Sequence, residues 1–372
     1  MKKILIFIDW FTPAINAGGP ISSVENMVNL LANDFEFYII TGSKDLNSDQ
    51  NLKGIVLNKW QKVGMANVIY MDKDQRKIKT IKALVAEISP FKIYLNGIFS
   101  FNFSILPCLL FKSKYDIVIA PRGMLGIGAL SIKHFRKKIF INLMKVFFIY
   151  KNIHWHLSND QELRDLNKVI SPNINYSILP NITKKIEFQE RKKSNNILKL
   201  ISICRVNKIK NIEFFLKVLL GIKFKCHYTI IGFIEDSLYH KSLLKISKLL
   251  PSNIFVEFKG QQKFSQIKND LKSANIFIST SNNENFGHSI VESLASGLPV
   301  VISEHCPWIN LEQNNAGFRL PLNQDIFREK LIYFHAMNSE TYNEFNNGSR
   351  DYYDKFINPG IFKNGYIKMF CK

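Results

Sequence analysis

Short apolar runs alternate with amphipathic stretches along almost the whole of this 372-residue chain. In the first half the runs fall at residues 3–8, 35–40, 67–71, 92–95, 116–120, 153–157 and 176–179. In the second they fall at 198–204, 228–231, 254–258, 275–279 and 299–303, and stretches such as 21–32 and 76–88 carry a helical period between them. A strand that is apolar on both faces must be covered on both, and strands alternating with helices give parallel sheets with helices on each side. The fold class is therefore α/β, with two Rossmann-like, doubly wound domains. The length agrees, since a domain takes roughly 100–200 residues. A polar, charged stretch at 183–196 reads as a linker. It separates a first domain, 1–182, from a second, 197–350, and the aromatic-rich segment 351–372 is expected to pack back on the first. Ligands of open α/β sheets bind beyond the carboxyl ends of the strands, so two such domains facing one another are expected to share a cleft.

Composition removes several classes of function. Hydrophobic residues make up 46% of the chain, which excludes global disorder. The five cysteines form no C-x-x-C pair, and their odd number argues against a disulfide framework and for a reducing cytoplasm. The apolar start at residues 4–8 stops at Asp9 without a cleavage site, so it reads as a buried strand and not as a signal peptide. No window approaches the roughly 18 apolar residues of a spanning helix; the best, 139–150, is broken by Asn142 and Lys145. The net charge of +20 needs a partner. Residues 133–151 hold six Lys and Arg, no acid and many aromatics, a composition suited to an anionic membrane surface, although a core helix with one basic edge fits equally. No nucleic-acid-binding signature accompanies the charge, and nucleic acid is not an expected partner.

Residues 282–299, N-N-E-N-F-G-H-S-I-V-E-S-L-A-S-G-L-P, are the most informative. A strand ends, a loop carries Glu284, and a helix begins near His288 and stops at Gly297. The amides of Phe286, Gly287 and His288 then lie at a helix N-terminus, where a diphosphate can sit. Glu284 and Glu292 can reach the same cleft at different depths, and carboxylates suit the neutral hydroxyl pairs of a sugar and a ribose. A second segment, R-V-N-K-I-K-N at 205–211, follows the first strand of the second domain, and Arg205 and Lys210 bracket a loop able to wrap an anion.

The run E-N-F-G-H-S-I-V-E-S-L-A-S-G-L-P-V-V resembles the E-x7-E signature of glycosyltransferase family 4, the glycosyl transferases of group 1. These are retaining enzymes with the two-domain GT-B fold. The resemblance implies transfer of a hexosyl group from a nucleotide-diphosphate sugar, with that sugar as substrate and no cofactor or metal. Glu284, Arg205 and Lys210 would be the catalytic group. Glu292, Asn285, Phe286, Gly287 and His288 would bind the donor, helped by Gly18, Gly19, Gly232 and Phe258. The acceptor would be a saccharide, expected to be lipid-linked, as in bacterial surface polysaccharide assembly (capsule, O-antigen or exopolysaccharide). The enzyme would work in the cytoplasm, peripherally on the inner face of the membrane.

The chain also departs from the family. Asn96 and Arg122 stand where many members carry His, so Arg122 reads as a cation on the acceptor side, beside Asn96. Asn211 replaces a commoner Gly. Gly18-Gly19-Pro20 is not the G-x-G-x-x-G fingerprint, which disfavours a nicotinamide enzyme. Asp72-Lys73-Asp74 reads as a solvated turn, and His154 and His156 share a strand face without a third ligand. A sugar-nucleotide epimerase on the same fold, or a basic nucleic-acid-binding protein, are the alternative functions.

Overall fold

The computed structural model describes residues 1–126, 141, 149–170, 174–184, 186–189, 191, 197–262 and 264–371. They form two compact units, Met1–Thr183 with Pro359–Lys372, and Lys184–Asn358.

The first unit runs β1 (Lys2–Phe7), α1 (Gly19–Leu31), β2 (Phe35–Gly42), β3 (Trp60–Val63), β4 (Ala66–Met71), α2 (Ile78–Ile88) and β5 (Lys92–Asn96). A π-helical turn (Phe101–Ile105) leads into α3 (Leu106–Phe111), and β6 (Ile117–Ala120), β7 (His154–Leu157), α4 (Asp160–Val169) and β8 (Asn175–Ile178) follow. The described strands make one sheet ordered β3-β4-β2-β1-β5-β6-β7-β8. It is parallel except for β3, which runs antiparallel to β4 at the edge. Both faces are buried, as the apolar runs require: Leu5 and Phe7 belong to one core cluster, and Ile4, Ile6 and Ile8 to another.

The second unit runs β9 (Leu198–Ile203), a 3-10 turn (Lys208–Lys210), α5 (Ile212–Leu219), β10 (Cys226–Ile231), α6 (Ser237–Ser247), β11 (Ile254–Gly260), α7 (Phe264–Ser273) and β12 (Ile276–Ser279). It continues with α8 (His288–Ala295), β13 (Val300–Ser303), β14 (Gly317–Leu320), α9 (Gln324–Ala336) and α10 (Ser339–Phe356). Its described strands form a parallel sheet ordered β11-β10-β9-β12-β13-β14. Alternation again marks two cores, with Ile276, Ile278 and Val301 on one face and Phe277, Val300 and Ile302 on the other.

Two boundaries differ from the sequence reading. The second unit extends to Asn358, because α10 continues past residue 350. The last helix, α11 (Pro359–Cys371), buries Tyr366, Met369 and Phe370 in the first unit, and the Tyr366 hydroxyl donates to the Pro180 carbonyl at 2.9 Å. The charged stretch 183–196 is not simply a solvated linker. Its described residues Ile186 and Arg191 are buried in the second unit.

Arg191 has a physical reason to be there. Its guanidinium donates to the carbonyls of Leu271, Lys272 (3.2 Å) and Ala274 (3.1 Å) at the end of α7, and to the carbonyl (3.3 Å) and hydroxyl (2.9 Å) of Ser296 at the end of α8. Helix C-termini leave carbonyls without partners and carry partial negative charge, so one planar cation satisfies two of them. Burial lowers its pKa to about 10, which leaves it charged at neutral pH. Residues 133–151, expected at a membrane surface, lie outside the described residues apart from Ile141 and 149–151. Among the described residues no helix is long and apolar enough to cross a membrane.

Replacing Arg191 by methionine keeps its bulk but strands those carbonyls. We expect the second domain to lose about 2–4 kcal/mol against chemical denaturation. A loss under about 0.5 kcal/mol, the range of ordinary surface substitutions, would mean that the guanidinium does not hold the two helix ends.

Candidate active site

The second sheet reverses its winding between β9 and β12, which are neighbours in space but far apart in sequence. At such a reversal the connections leave in opposite directions and open a crevice at the carboxyl ends of the strands. The segments with Arg205 and Lys210, after β9, and with Glu284, after β12, meet there.

The Lys208–Lys210 turn is shaped by two asparagines. The Asn207 side chain accepts from the Lys210 amide at 3.2 Å, and Asn211 closes the turn at φ +51°, a left-handed conformation that Asn tolerates better than most residues. Asn211 thus fills the place of the expected Gly by the same backbone geometry. The β12 loop is fastened to this turn: the Asn282 amide donates to the Ile209 carbonyl at 2.8 Å, and Thr280 Oγ1 to the Asn211 carbonyl at 3.1 Å.

Across this junction Lys210 Nζ and Glu284 Oε2 form a hydrogen-bonded ion pair, each side chain only 17% exposed. Burial works against the Lys210 charge, but the Glu284 carboxylate outweighs it and the net shift is upward. Glu284 in turn lies against the start of α8. A Cβ added at Gly287 would stand 3.2 Å from Glu284 Cγ and 2.7 Å from Ile290 Cδ1, and Gly287 has φ +76°. Only glycine fits both the space and the backbone there.

Arg205 has a partner of its own: its Nη1 bonds both oxygens of Glu235 at 3.1 Å, and Asn207 Nδ2 holds the same carboxylate at 2.6 Å. Glu235 and Asn207 therefore share one corner with Arg205. Gly232 makes this loop possible: a Cβ on it would fall 1.9 Å from the Cys204 carbonyl oxygen. The pair of cations is still local, since the Arg205 charge opposes that of Lys210.

Other expected donor residues sort by role. The Phe286 side chain is buried, edge-on to the rings of His288 (4.9 Å) and Trp308 (5.2 Å), and its carbonyl accepts from Trp308 Nε1 at 2.7 Å. Its ring is core, and it reaches the site only through its backbone. Asn285 and His288 flank it, the latter opening α8. Glu292 lies one turn further on, partly buried, and burial pushes its carboxyl up to about 7 against the opposing charge of Lys184. The Phe258 ring packs edge-on to His240 at 5.0 Å. Cys306 is buried and its thiol is pushed up to about 11, which makes it a poor nucleophile.

In the first unit Gly18 caps α1 with φ +64° and Gly19 is its first residue; a Cβ at Gly18 would meet nothing within 4 Å. Asn96, buried at the end of β5, accepts from Arg122 Nε at 2.8 Å. Arg122 also donates through Nη2 to the Tyr94 hydroxyl at 2.7 Å and through Nη1 to Asn181 Oδ1. Asp72 closes a turn, accepting from the Gln75 amide (2.9 Å) and Asn58 Nδ2 (2.6 Å). His156 bonds Tyr94, and His154 bonds Ser177 at 2.9 Å.

Residues 183–351 match the family described as Glycosyl transferases group 1. No curated protein sequence matches the chain. Among solved structures, it is similar to sucrose-phosphate synthase from Thermosynechococcus elongatus, with 14% identity, a TM-score of 0.77, and 100% of this chain and 98% of that one covered. It is also similar to HepE of Anabaena in complex with UDP and glucose (12% identity, TM-score 0.72, both chains covered fully). A third similar structure is WaaG, a glycosyltransferase involved in lipopolysaccharide biosynthesis (12% identity, TM-score 0.68, 99% of each chain covered). Residues 183–351 thus form a domain of the glycosyl transferases group 1 family, in a chain whose two α/β units have the GT-B fold.

Proposed function

We propose that this enzyme transfers a hexosyl group from a nucleotide-diphosphate sugar to a saccharide acceptor with retention of configuration and without a metal. The observation that carries the reading is the Lys210–Glu284 pair against the N-terminus of α8, with Arg205 on the same loop. A departing nucleoside diphosphate gains negative charge as the bond from its phosphate oxygen to the sugar breaks. Groups that hold that charge better in the transition state than in the bound substrate supply rate. Lys210, Arg205 and the α8 amides are such groups. A diphosphate would displace Glu235 from Arg205 and draw Lys210 from Glu284, freeing the Glu284 carboxylate for the sugar hydroxyls. The acceptor oxygen attacks the same face of the sugar, and its proton passes to the departing phosphate oxygen. HepE was solved with UDP and glucose, which supports a nucleotide sugar of that kind as donor here.

Glu292 suits the ribose of the donor, its carboxylate accepting from the hydroxyl pair. We further propose that the acceptor is lipid-linked and belongs to surface polysaccharide assembly. The basic, aromatic stretch 133–151 would hold the enzyme at an anionic membrane, and Arg122 with Asn96 would face the acceptor. The similarity to WaaG, involved in lipopolysaccharide biosynthesis, is in keeping with this.

Three results test these assignments. Arg205→Ala and Lys210→Ala should each lower kcat by about 10²–10³, the size of one electrostatic stabiliser, with chelator leaving the wild type unaffected; unchanged turnover in both variants defeats the proposal. Glu292 should make the donor KM depend on pH. Below about 7 its carboxyl is protonated and accepts poorly, so KM should fall as pH rises through that value and stay flat in Glu292→Gln. The same titration costs the folded state stability as pH rises from the ordinary carboxyl range to about 7, because folding disfavours the charged form. Finally, the protein should float with anionic liposomes and release in salt, and reversing the charges in 133–151 should abolish flotation; salt-insensitive or absent binding removes the membrane assignment alone.

A further inference from the structure

The peptide between Phe286 and Gly287 is the last before α8, and helical geometry does not fix how it faces. Gly287 caps α8 with φ +76° and ψ +66°, outside the right-handed helical range. Glycine takes either sign of φ at little cost, so the peptide plane ahead of it can turn over. Its direction matters, because in a trans peptide the carbonyl and the N–H point opposite ways. The Gly287 amide donates to no described residue. Whichever way the Phe286 carbonyl is held, that amide faces the other.

The carbonyl is held from outside the segment. Trp308 Nε1 donates to it at 2.7 Å, and the two rings meet edge-on at 5.2 Å. An indole N–H is a donor only, so this bond has one sense. Trp308 follows a turn after β13, and that turn is itself braced. The Cys306 amide donates to the Ser303 carbonyl at 3.0 Å, and the Glu304 amide to the Leu320 carbonyl of β14 at 2.7 Å. Arg319, also on β14, donates through Nε to the Cys306 carbonyl at 3.1 Å and through Nη2 to that of Glu304. The same segment grips the Glu284 loop at a second point, where the Glu284 amide donates to the His305 carbonyl at 3.2 Å. Residues 305–308 therefore set both the Glu284 amide and the Phe286 carbonyl, on either side of Asn285.

We propose that Trp308 is a positioning residue of the donor site: by holding the Phe286 carbonyl it aims the Gly287 amide at the departing phosphate. The inference rests on the transferase reading above and adds what fixes one of the α8 amides beside the Lys210–Glu284 pair. An amide set before the reaction needs no turning as charge develops on the leaving group, and that is how a preorganised donor supplies rate. Gly287 gives this peptide its freedom, and Trp308 removes it. The indole acts through the backbone, not on the substrate.

Phe286-Gly287 is the one Phe-Gly pair in the sequence. Protein labelled with ¹³C at the phenylalanine carbonyls and ¹⁵N at glycine therefore gives one signal in a carbonyl-to-amide correlation spectrum, from this peptide alone. Its carbonyl carbon reports the bond from Trp308, and its amide reports the ligand. Adding UDP, GDP or dTDP to the wild type should move the amide. Trp308→Phe keeps a ring against Phe286 and removes the N–H. Without ligand, it should move the carbonyl carbon upfield. The nucleotide Kd, followed on all the glycine signals, should rise about tenfold, the size of one hydrogen bond to a charged group. Arg319→Gln, at an exposed side chain, loosens the same turn and should move the carbonyl carbon in the same sense; it carries the test if Trp308→Phe folds poorly. A carbonyl carbon unmoved by either substitution, or a Kd unchanged where the carbon has moved, overturns the positioning role. So does a Gly287 amide that stays still while other glycine signals respond to nucleotide. If no glycine signal responds to any of the three nucleotides, the transferase reading fails instead.

Discussion

Helix α8 is eight residues long, too short to hold itself in water, so its position is set by what grips its ends. At the carboxyl end the grip is tight. Arg191 bonds Ser296, Arg350 donates to the carbonyls of Ala295 (2.9 Å) and Ile186 (3.0 Å), and Asn346 donates to that of Gly297. Two guanidiniums at one helix terminus also match the sign of its dipole. With that end fixed, the amino end has one place to be, and Gly287 lets Glu284 close against it. The ion pair with Lys210 then fixes the β9 loop to the same point. The placement of the Lys210–Glu284 pair thus depends on a structural anchor at the far end of the helix.

Each sheet uses the same topological device. Where the winding reverses, no crossover helix covers the strand ends, and polar side chains can stand there without being sealed in a core. In the second sheet the pair that spans the gap is cation and carboxylate; in the first, between β1 and β5, it is the Ser100 hydroxyl on the Asp9 carboxylate, with the Arg76 cation behind. The difference is chemical, an ion pair in one sheet and a neutral donor on a carboxylate in the other.

Much of this was legible in the chain. Strands buried on both faces are continuous apolar runs, so β1, β2, β9 and β12 could be read to within a residue or two at each end. The strands that escaped were short and mixed. Trp60–Val63 lies at an edge with none of its four residues buried, and Gly317–Leu320 carries Arg319 outward. Neither has a run long enough to stand out from a loop. The strand–loop–helix segment around Glu284 was readable because its residues are neighbours in sequence. What could not be read was pairing across distance: Arg205 with Glu235 thirty residues away, or Asp9 with Ser100 ninety-one away. Nor does composition say that a charge in an apparent linker will turn inward, as Arg191 does, because only the folded helix ends create its partners.

Arg122 shows how such a cation can be held without being cancelled. His156 Nε2 faces the Leu179 carbonyl at 2.9 Å, an acceptor only, so that nitrogen carries the proton. Burial, with the Arg122 charge adding to it, keeps the ring neutral, its pKa well below the usual value. Nδ1 must then accept, and at 2.7 Å its donor is the Tyr94 hydroxyl, whose oxygen is left to take the proton from Arg122 Nη2. Asn96 and Asn181 supply two further neutral oxygens. The nearby acid, Glu162, is occupied by the amides of Gly123 and Ser158 and by the Ser158 hydroxyl. A carboxylate in place of any of these three acceptors would orient the guanidinium equally well but neutralise it. Amides and a phenol fix its direction and leave its charge, at the cost of a left-handed backbone, φ +56°, that arginine rarely adopts. The fold thus accepts backbone strain to hold Arg122 in one direction with its charge unpaired among the described residues.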